Sequence, residues 1–337
     1  MEFLYLLEKI RTPFLDFLMA LITHIGEETV FLAVAIFFFW CVSKREGYYI
    51  LVSGLIGTLV NQLLKITLRI DRPWVKDPNF SIVESAREEA TGFSFPSGHT
   101  QNVTSTFGAI ARFSGRMAVR VCLLVLIALV AFSRMYLGVH TPYDVVASLV
   151  IASLILFVLY PVFSDDTRMA KYMPYLIGVC ALLSVAFLVY VFLLPESGFD
   201  SEAISNLHSA RKNATTLFAC MLGLAIAYPI ERKFINFKTE AKWYSSIIKL
   251  AVGFAIVLAI KSGLKAPLEM LFSFLGGGAE YVARGVRYLI IVLFAALVWP
   301  LTFGAFARLR IGFLDRFTEL VKSKFSPKRD TPSSIDE

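Results

Sequence analysis

A succession of apolar runs, each long enough to cross a lipid bilayer, constrains this chain more than any other feature. A spanning helix needs about 20 mostly apolar residues. Runs of that kind occur near residues 28–43, 48–69, 99–114, 117–138, 142–164, 172–194, 209–230, 245–264 and 284–307. Of all residues, 57% are hydrophobic and 18% are charged, which is more apolar than the roughly half expected of a soluble domain. The sequence therefore predicts an all-α fold, a polytopic transmembrane helix bundle with nine spans, give or take one.

The order of these runs divides the chain into four segments. Residues 1–27 mix charged and apolar positions without an uninterrupted apolar core, which is typical of an amphipathic helix at the membrane surface and not of a cleavable signal peptide. Residues 28–194 contain six predicted spans, and residues 195–308 contain about three additional transmembrane helices. Residues 309–337 are polar and rich in charge, so we expect a cytoplasmic tail without a packed core.

Basic residues in the short loops predict the orientation of the bundle. The formal net charge of +7 would favour a nucleic-acid partner in a soluble protein, but here Lys and Arg lie between apolar runs. They cluster in alternate loops, near residues 44–45, 112–120, 168–171 and 232–242, and again in the C-terminal tail. Cytoplasmic loops of membrane proteins are enriched in Lys and Arg. We therefore expect these loops and the C-terminus in the cytoplasm, the N-terminus outside, and no nucleic-acid partner.

Three short segments place polar groups where a membrane protein would otherwise avoid them. They are KITLRIDRP at 65–73, FPSGHT at 95–100 and SRMYLGVHTPYD at 133–144, all at helix ends predicted to be extracytoplasmic. An ionisable residue in such a place is a functional candidate, because burying its charge is costly without a partner. Since the segments are rich in cations, the expected partner is an anion.

Lys65 and Arg72 are the first candidates for binding that anion. They are seven residues apart, which is about two helical turns, so they lie on one face if the second span persists to Asp71. Lys supplies a point charge, and Arg supplies a planar fork suited to two phosphate oxygens. The alternative is that both side chains extend to the membrane surface to keep their charges in water.

The sequence PSGH has the features of a helix start that binds an anion. Pro96 punctuates the loop, and Ser97, Gly98 and His99 begin the helix. Backbone N–H groups at a helix start attract anions, Gly98 has no side chain to block the approach, and Ser97 adds a hydroxyl. An ordinary helix cap is the alternative. His99 can exchange a proton near neutral pH, so it suits a general acid.

The third segment combines an anion binder, a nucleophile and a carboxylate in Arg134, His140 and Asp144. If Pro142 opens the following helix, His140 and Asp144 bracket its first turn. A carboxylate hydrogen-bonded to one imidazole nitrogen fixes the tautomer and leaves the other nitrogen free to attack phosphorus. A capped helix start without any catalysis is an equally open alternative.

Together the three segments resemble the signature of the type 2 phosphatidic acid phosphatase superfamily. The pattern consists of Lys65, six residues and Arg72-Pro73, then Pro96-Ser97-Gly98-His99, then Ser133-Arg134, five residues, His140, three residues and Asp144. The resemblance covers roughly residues 28–164. It implies a six-helix phosphatase core, to which this chain adds about three C-terminal transmembrane helices.

The resemblance also implies a role for each residue of the pattern. His140 would attack the phosphorus atom, Asp144 would orient His140, and His99 would protonate the departing oxygen. The phosphate oxygens would be bound by the remaining five, Lys65, Arg72, Ser97, Gly98 and Arg134. The family uses no metal ion or other cofactor, and we see no acidic cluster in the sequence that would hold one. The four cysteines have no CxxC spacing and predict neither a zinc site nor disulfides.

The function implied by the resemblance is that of an integral membrane phosphatase at the outer face of a bacterial cytoplasmic membrane. It would form a phosphohistidine intermediate. Its substrate would be a phosphorylated membrane lipid such as undecaprenyl pyrophosphate, phosphatidylglycerophosphate or phosphatidic acid, and other membrane lipids would surround it. A phosphotransferase, a sugar-phosphate phosphatase and a non-catalytic lipid-binding or transport scaffold are the alternatives. The extra helices could form a dimer surface, a lipid channel or a wall around the site. The first of these would make the protein a homo-oligomer.

Overall fold

The computed structural model describes residues 1–316 and Thr318. Within these residues the chain is built from helices and contains no β-strand, so the predicted all-α fold is confirmed. Residues 317 and 319–337, which include most of the predicted cytoplasmic tail, lie outside the described part of the chain.

Fourteen α-helices follow one another through the described residues, and short 3₁₀ or π turns extend several of them. The helices are α1 (Glu2–Lys9), α2 (Pro13–Thr23), α3 (Glu28–Phe37), α4 (Lys44–Leu68), α5 (Pro73–Lys76), α6 (Gly98–Phe113), α7 (Met117–Tyr136), α8 (Pro142–Leu159), α9 (Asp166–Leu193), α10 (Ser201–Ile230), α11 (Trp243–Gly263), α12 (Lys265–Leu271), α13 (Ala279–Leu293) and α14 (Phe303–Arg308).

Seven helical stretches among the described residues are long and apolar enough to cross a membrane. They correspond to the spans predicted near 48–69, 117–138, 142–164, 172–194, 209–230, 245–264 and 284–307. An eighth candidate forms if Pro13–Gly26 and Glu28–Val42, which bend by 48° at their junction, cross as one unit. The chain is therefore an integral membrane protein of polytopic, all-helical architecture.

Two of the predicted membrane segments look different in the structure. The run near 99–114 forms α6, which has 16 residues and is shorter than an ordinary crossing helix. Its polar first half faces the bundle interior, since Thr100, Gln101 and Thr104 are buried. The segment before residue 28 joins α3 across the 48° bend, and its position at the membrane surface stays a prediction.

Helix α4 lies at the centre of the bundle, in contact with α3, α6, α8, α9 and α10. Two glycines permit this close packing. A Cβ at Gly54 would lie 2.2 Å from a ring carbon of Phe31 on α3, and a Cβ at Gly57 would lie 2.1 Å from the amide of Gln101 on α6. Because its neighbours approach so closely, α4 carries Lys65 into the interior of the protein and not to a lipid-facing surface.

The N-terminal and C-terminal helices both attach to this central group. Arg11 donates from Nε to the carbonyl of Tyr136 at the end of α7 (3.1 Å), and the Tyr136 hydroxyl donates to the Asp16 carboxylate on α2 (2.8 Å). The C-terminal helices attach through α10, which packs against α4, α9 and α13. Asn213 on α10 donates to the side-chain oxygen of Gln62 on α4 (3.1 Å).

Candidate active site

Arg72 reaches the site by a different route from the one expected. Helix α4 ends at Leu68, and Arg69 takes a left-handed conformation (φ 51°) that turns the chain away. Arg72 then becomes the N-cap of the short helix α5. The helix therefore does not persist to Asp71, so the condition for a shared helical face is not met, although the side chains of Lys65 and Arg72 are both buried and line the same cavity.

Backbone carbonyls hold these two cations in place. Arg72 donates to the carbonyls of Thr91 (2.8 Å), Gly92 (2.9 Å) and Val139 (3.0 Å), and the Lys65 ammonium donates to the carbonyl of Phe93. Carbonyls satisfy N–H donors without neutralising their positive charge. The loop between α5 and α6, together with Val139 between α7 and α8, thus orients both cations and leaves their charge available to an anion.

Helix α6 begins at Gly98, as the PSGH sequence predicts. The Ser97 hydroxyl accepts from the backbone N–H of Thr100 (3.4 Å) and from the Thr100 hydroxyl (3.0 Å), so it caps the helix. Nothing lies within 4 Å of the position that a Cβ would take at Gly98, and Gly98 lines the cavity. At this helix start the Gly98 backbone is therefore accessible from the cavity, whereas the Ser97 hydroxyl is hydrogen-bonded to Thr100 as a helix cap.

The His140–Asp144 pair is built into the start of α8. Thr141 and Asp144 form a capping box, and one Asp144 oxygen accepts from the Thr141 N–H (2.7 Å) and the Ser94 hydroxyl (2.7 Å). The same oxygen lies 3.5 Å from Nδ1 of His140. The capped helix start and the oriented histidine, which the sequence left as alternatives, therefore coexist in one arrangement.

The other ring nitrogen of His140 faces the cations. Its Nε2 lies 3.5 Å from Nη1 of Arg72. Burial, reinforced by the neighbouring cations, lowers the pKa of His140 well below its ordinary value, against the opposing effect of Asp144. A neutral imidazole with Nδ1 towards a carboxylate carries its free lone pair on Nε2, which is the form that can attack an electrophile.

Arg134 and His99 complete the cluster from α7 and α6. Arg134 is fully buried and donates to the Thr23 hydroxyl (2.7 Å). Nε2 of His99 lies 3.3 Å from Glu89, and the other Glu89 oxygen lies 3.2 Å from Nδ1 of His24. The His99 imidazole beside Glu89 holds the pKa of that carboxyl below its usual range, so Glu89 is ionised next to the proposed general acid.

Sequence reasoning missed Glu89. It lies in a loop that also contains Glu84 and Glu88, and no spacing distinguishes it from these neighbours. Glu89, His24 and Glu27 bring three ligand-type atoms within 4.8 Å of one another, which corrects the expectation that no acidic cluster would lie near the site. Their mutual ion pairs and the contact with His99 account for this arrangement.

Buried charge at this end of the bundle is predominantly positive. Lys65, Arg72 and Arg134 are 6%, 4% and 0% exposed, and Asp144 is the buried carboxylate beside them. The cluster opens onto a cavity of about 410 Å³, whose lining at this end includes Lys65, Arg72, Gly98, His99, Arg134 and His140, with the partly exposed Glu89 beside His99. Burying so much like charge is costly unless an anion compensates it, so the cavity is suited to a small, multiply charged anion.

Fold and site together define a class of protein: a membrane-spanning helical bundle with an anion pocket beside a histidine that can act as a nucleophile. Two family models make this class specific. The PAP2 superfamily matches residues 46–168, and the transmembrane extension of PAP2 superfamily phosphatases matches residues 215–310. The chain belongs to the PAP2 superfamily.

Several curated proteins are similar to parts of the chain. A probable sphingosine-1-phosphate phosphatase of Dictyostelium discoideum is 28% identical over 159 residues, 43% of this chain and 38% of the relative. The undecaprenyl-diphosphatase BcrC of Bacillus subtilis is 30% identical over 126 residues, 37% and 62% of the two chains. Sphingosine-1-phosphate phosphatase 2 of Homo sapiens is 21% identical over 286 residues, 78% and 68%. The first two matches span less than two thirds of those relatives, and no solved structure matches significantly.

Proposed function

We propose that this protein is a metal-independent phosphatase that cleaves a lipid phosphate or lipid pyrophosphate through a phosphohistidine on His140. One observation carries the proposal: Nε2 of His140 lies 3.5 Å from Arg72 inside the buried cation cluster, while Nδ1 lies beside Asp144. An anion bound by the cations has this nitrogen as its neighbour. Positioning and charge stabilisation are the main contributions a protein makes to phosphoryl transfer.

The reaction has two steps. In the first, Nε2 of His140 forms a bond to phosphorus, the bond from phosphorus to the leaving oxygen breaks, and His99 gives its proton to that oxygen. In the second, water attacks phosphorus, the phosphorus–nitrogen bond breaks, and His99 takes up a proton from the water. Lys65, Arg72, Arg134 and the Gly98 backbone stabilise the charge on the phosphoryl oxygens in both steps.

The substrate side of the proposal is supported by the membrane setting and by the relatives. Those reported above are named for sphingosine-1-phosphate or undecaprenyl diphosphate, and a phosphatidylglycerophosphatase B of Bacillus subtilis is also similar. The clustering of Lys and Arg in the alternate loops supports a site that opens on the extracytoplasmic side, with the C-terminus in the cytoplasm.

The test is phosphate release by the purified protein in detergent with EDTA, measured for lipid pyrophosphates, lipid monophosphates and sugar phosphates. His140→Ala should abolish release and should also abolish trapping of labelled phosphate on the protein. His208→Ala is the matched control, because His208 lies on α10, where it contacts the Tyr281 hydroxyl. Full turnover by the His140 variant, or turnover that requires a divalent cation, would reject the mechanism.

A further inference from the structure

The cavity that contains the cation cluster continues away from it into the bundle. Glu28, Thr58, Thr216 and Lys261 also line it away from the cluster, and the apolar part of this lining comes from five helices: Phe31 on α3, Leu55 on α4, Leu217 on α10, Val257 on α11 and Val292 on α13. We call this part the apolar arm. The cavity thus combines a cationic site with a group of apolar side chains, as a lipid phosphate combines a charged group with a hydrocarbon chain.

The depth of the apolar arm follows from α4, which lines both ends of the cavity. Leu55 precedes Lys65 by ten residues on this helix, which corresponds to about 15 Å. The hydrocarbon core of a bilayer is about 30 Å thick, so the arm extends from the phosphate site over about one leaflet. Val257, which lines the arm, also belongs to the hydrophobic core cluster that contains Trp40 and Trp299.

The C-terminal extension supplies one wall of the apolar arm. Leu217, Val257 and Val292 lie within residues 215–310, the part that matches the extension model, whereas Leu55 lies in the core match. Trp40, in the same cluster as Val257, is fixed to the extension, because its indole N–H donates to the carbonyl of Ala295 (2.9 Å). Without these helices, this side of the phosphate site would open to lipid.

We propose that the apolar arm binds the hydrocarbon chain of the substrate and that the extension thereby selects lipid phosphates with a single chain. This inference rests on the proposed function. The whole cavity, phosphate site included, has a volume of about 410 Å³, near the lower end of the 300–1,000 Å³ typical of ligand pockets. It has room for a phosphate and one chain, and a second chain would have to share the same arm.

The experiment is a chain-length series of single-chain alkyl phosphates, from four to sixteen carbons, with a two-chain lipid phosphate for comparison. For the natural protein, KM should fall about fourfold with each added methylene until the apolar arm is filled. The two-chain lipid should be the poorer substrate. If the hydrocarbon chain of the substrate instead remains in the detergent or the bilayer, KM should not level off at a particular chain length.

Val257→Trp fills the apolar arm and should reduce the long-chain to short-chain ratio of kcat/KM at least tenfold. Val252→Trp is the matched control, since Val252 lies on the same helix but is 43% exposed, whereas Val257 is 7% exposed; it should leave the ratio unchanged. Short-chain turnover in the same preparation normalises for folded protein. Ile291→Trp, from α13, should repeat the result if the Val257 variant does not fold.

Two outcomes separate this inference from the function on which it rests. Turnover that depends on His140 but not on chain length, or an equal response of the Val252 and Val257 variants, would overturn the apolar arm alone. Absence of His140-dependent release from every phosphate in the series would reject the proposed function itself.

Discussion

Both ends of the helical bundle bury charged side chains, but only one end balances them. At the end opposite the site, the buried cation Lys249 is matched in number by the buried carboxylate Glu231: Glu231 pairs with Lys44 (2.9 Å), and the Lys249 ammonium donates to the carbonyl of Trp40 (2.7 Å) and lies over the ring of Phe303. At the active-site end, three buried cations surround one buried carboxylate, Asp144, among the residues that the structure describes.

This difference separates structural charge from functional charge. A buried ion pair that is well matched can hold helices together, whereas an uncompensated buried charge is costly. A protein retains such an imbalance where a ligand completes it, as at anion sites that stabilise developing negative charge. The end opposite the site therefore serves as a control within the same molecule: its charges should matter for stability and not for turnover.

Removal of a cation from the unbalanced end should have the largest effect. Arg134→Ala should lower kcat/KM for phosphate release by about 10²–10³-fold, because a donor aimed at the transferring group is lost. Arg134→Lys should lose less, since it keeps the charge but not the fork geometry. Kinetics of both variants check this. A wild-type kcat/KM for Arg134→Ala would show that the surplus charge is not catalytic.

Breaking the balanced pair should have a smaller effect, and on a different property. Glu231→Gln should destabilise the protein by about 1–3 kcal/mol, since it leaves Lys44 without its partner, and the folded fraction should keep its kcat/KM. Thermal unfolding in detergent, together with turnover per folded molecule, measures both. A loss of kcat/KM as large as that of Arg134→Ala would break the distinction between the two ends.

The smallest effect should come from Glu89→Gln. In the unmutated protein the Glu89 carboxylate favours the protonated form of the His99 imidazole. Without this carboxylate, His99 should lose its proton at a lower pH. The alkaline limb of the pH profile of kcat/KM should therefore move to lower pH. The rate on that limb should fall about fivefold or less, because a partly exposed ion pair is worth about 1 kcal/mol or less.

The pH profile also identifies the group involved. Glu89 has its pKa held below the usual range by His99, so it stays ionised across the assay range and adds no limb of its own. Glu84→Gln is the matched control in the same loop, since Glu84 pairs with Arg87 (2.8 Å) and not with a histidine of the site. An unchanged alkaline limb in Glu89→Gln would exclude a positioning role for Glu89.

Features of this protein that depend on interactions between residues close together in the chain could be predicted from the sequence alone. The spans followed from apolar runs, because a helix in lipid satisfies its backbone groups internally and needs only length and apolarity. The starts of α6 and α8 followed from Ser97-Gly98 and from Thr141, Pro142 and Asp144, since helix caps involve residues three or four positions apart. His140 and Asp144 lie within such a distance, so their pairing was also predictable.

Contacts between residues far apart in the chain could not be predicted in this way, because they depend on the path that the chain takes between them. Arg72 reaches the site only because Arg69 turns the chain and the carbonyls of Thr91, Gly92 and Val139 hold the guanidinium. Glu89 meets His99 through a loop without regular structure, which local patterns do not predict. The apolar arm forms between core and extension helices far apart in sequence, and its existence depends on how those helices pack and not on the composition of either one.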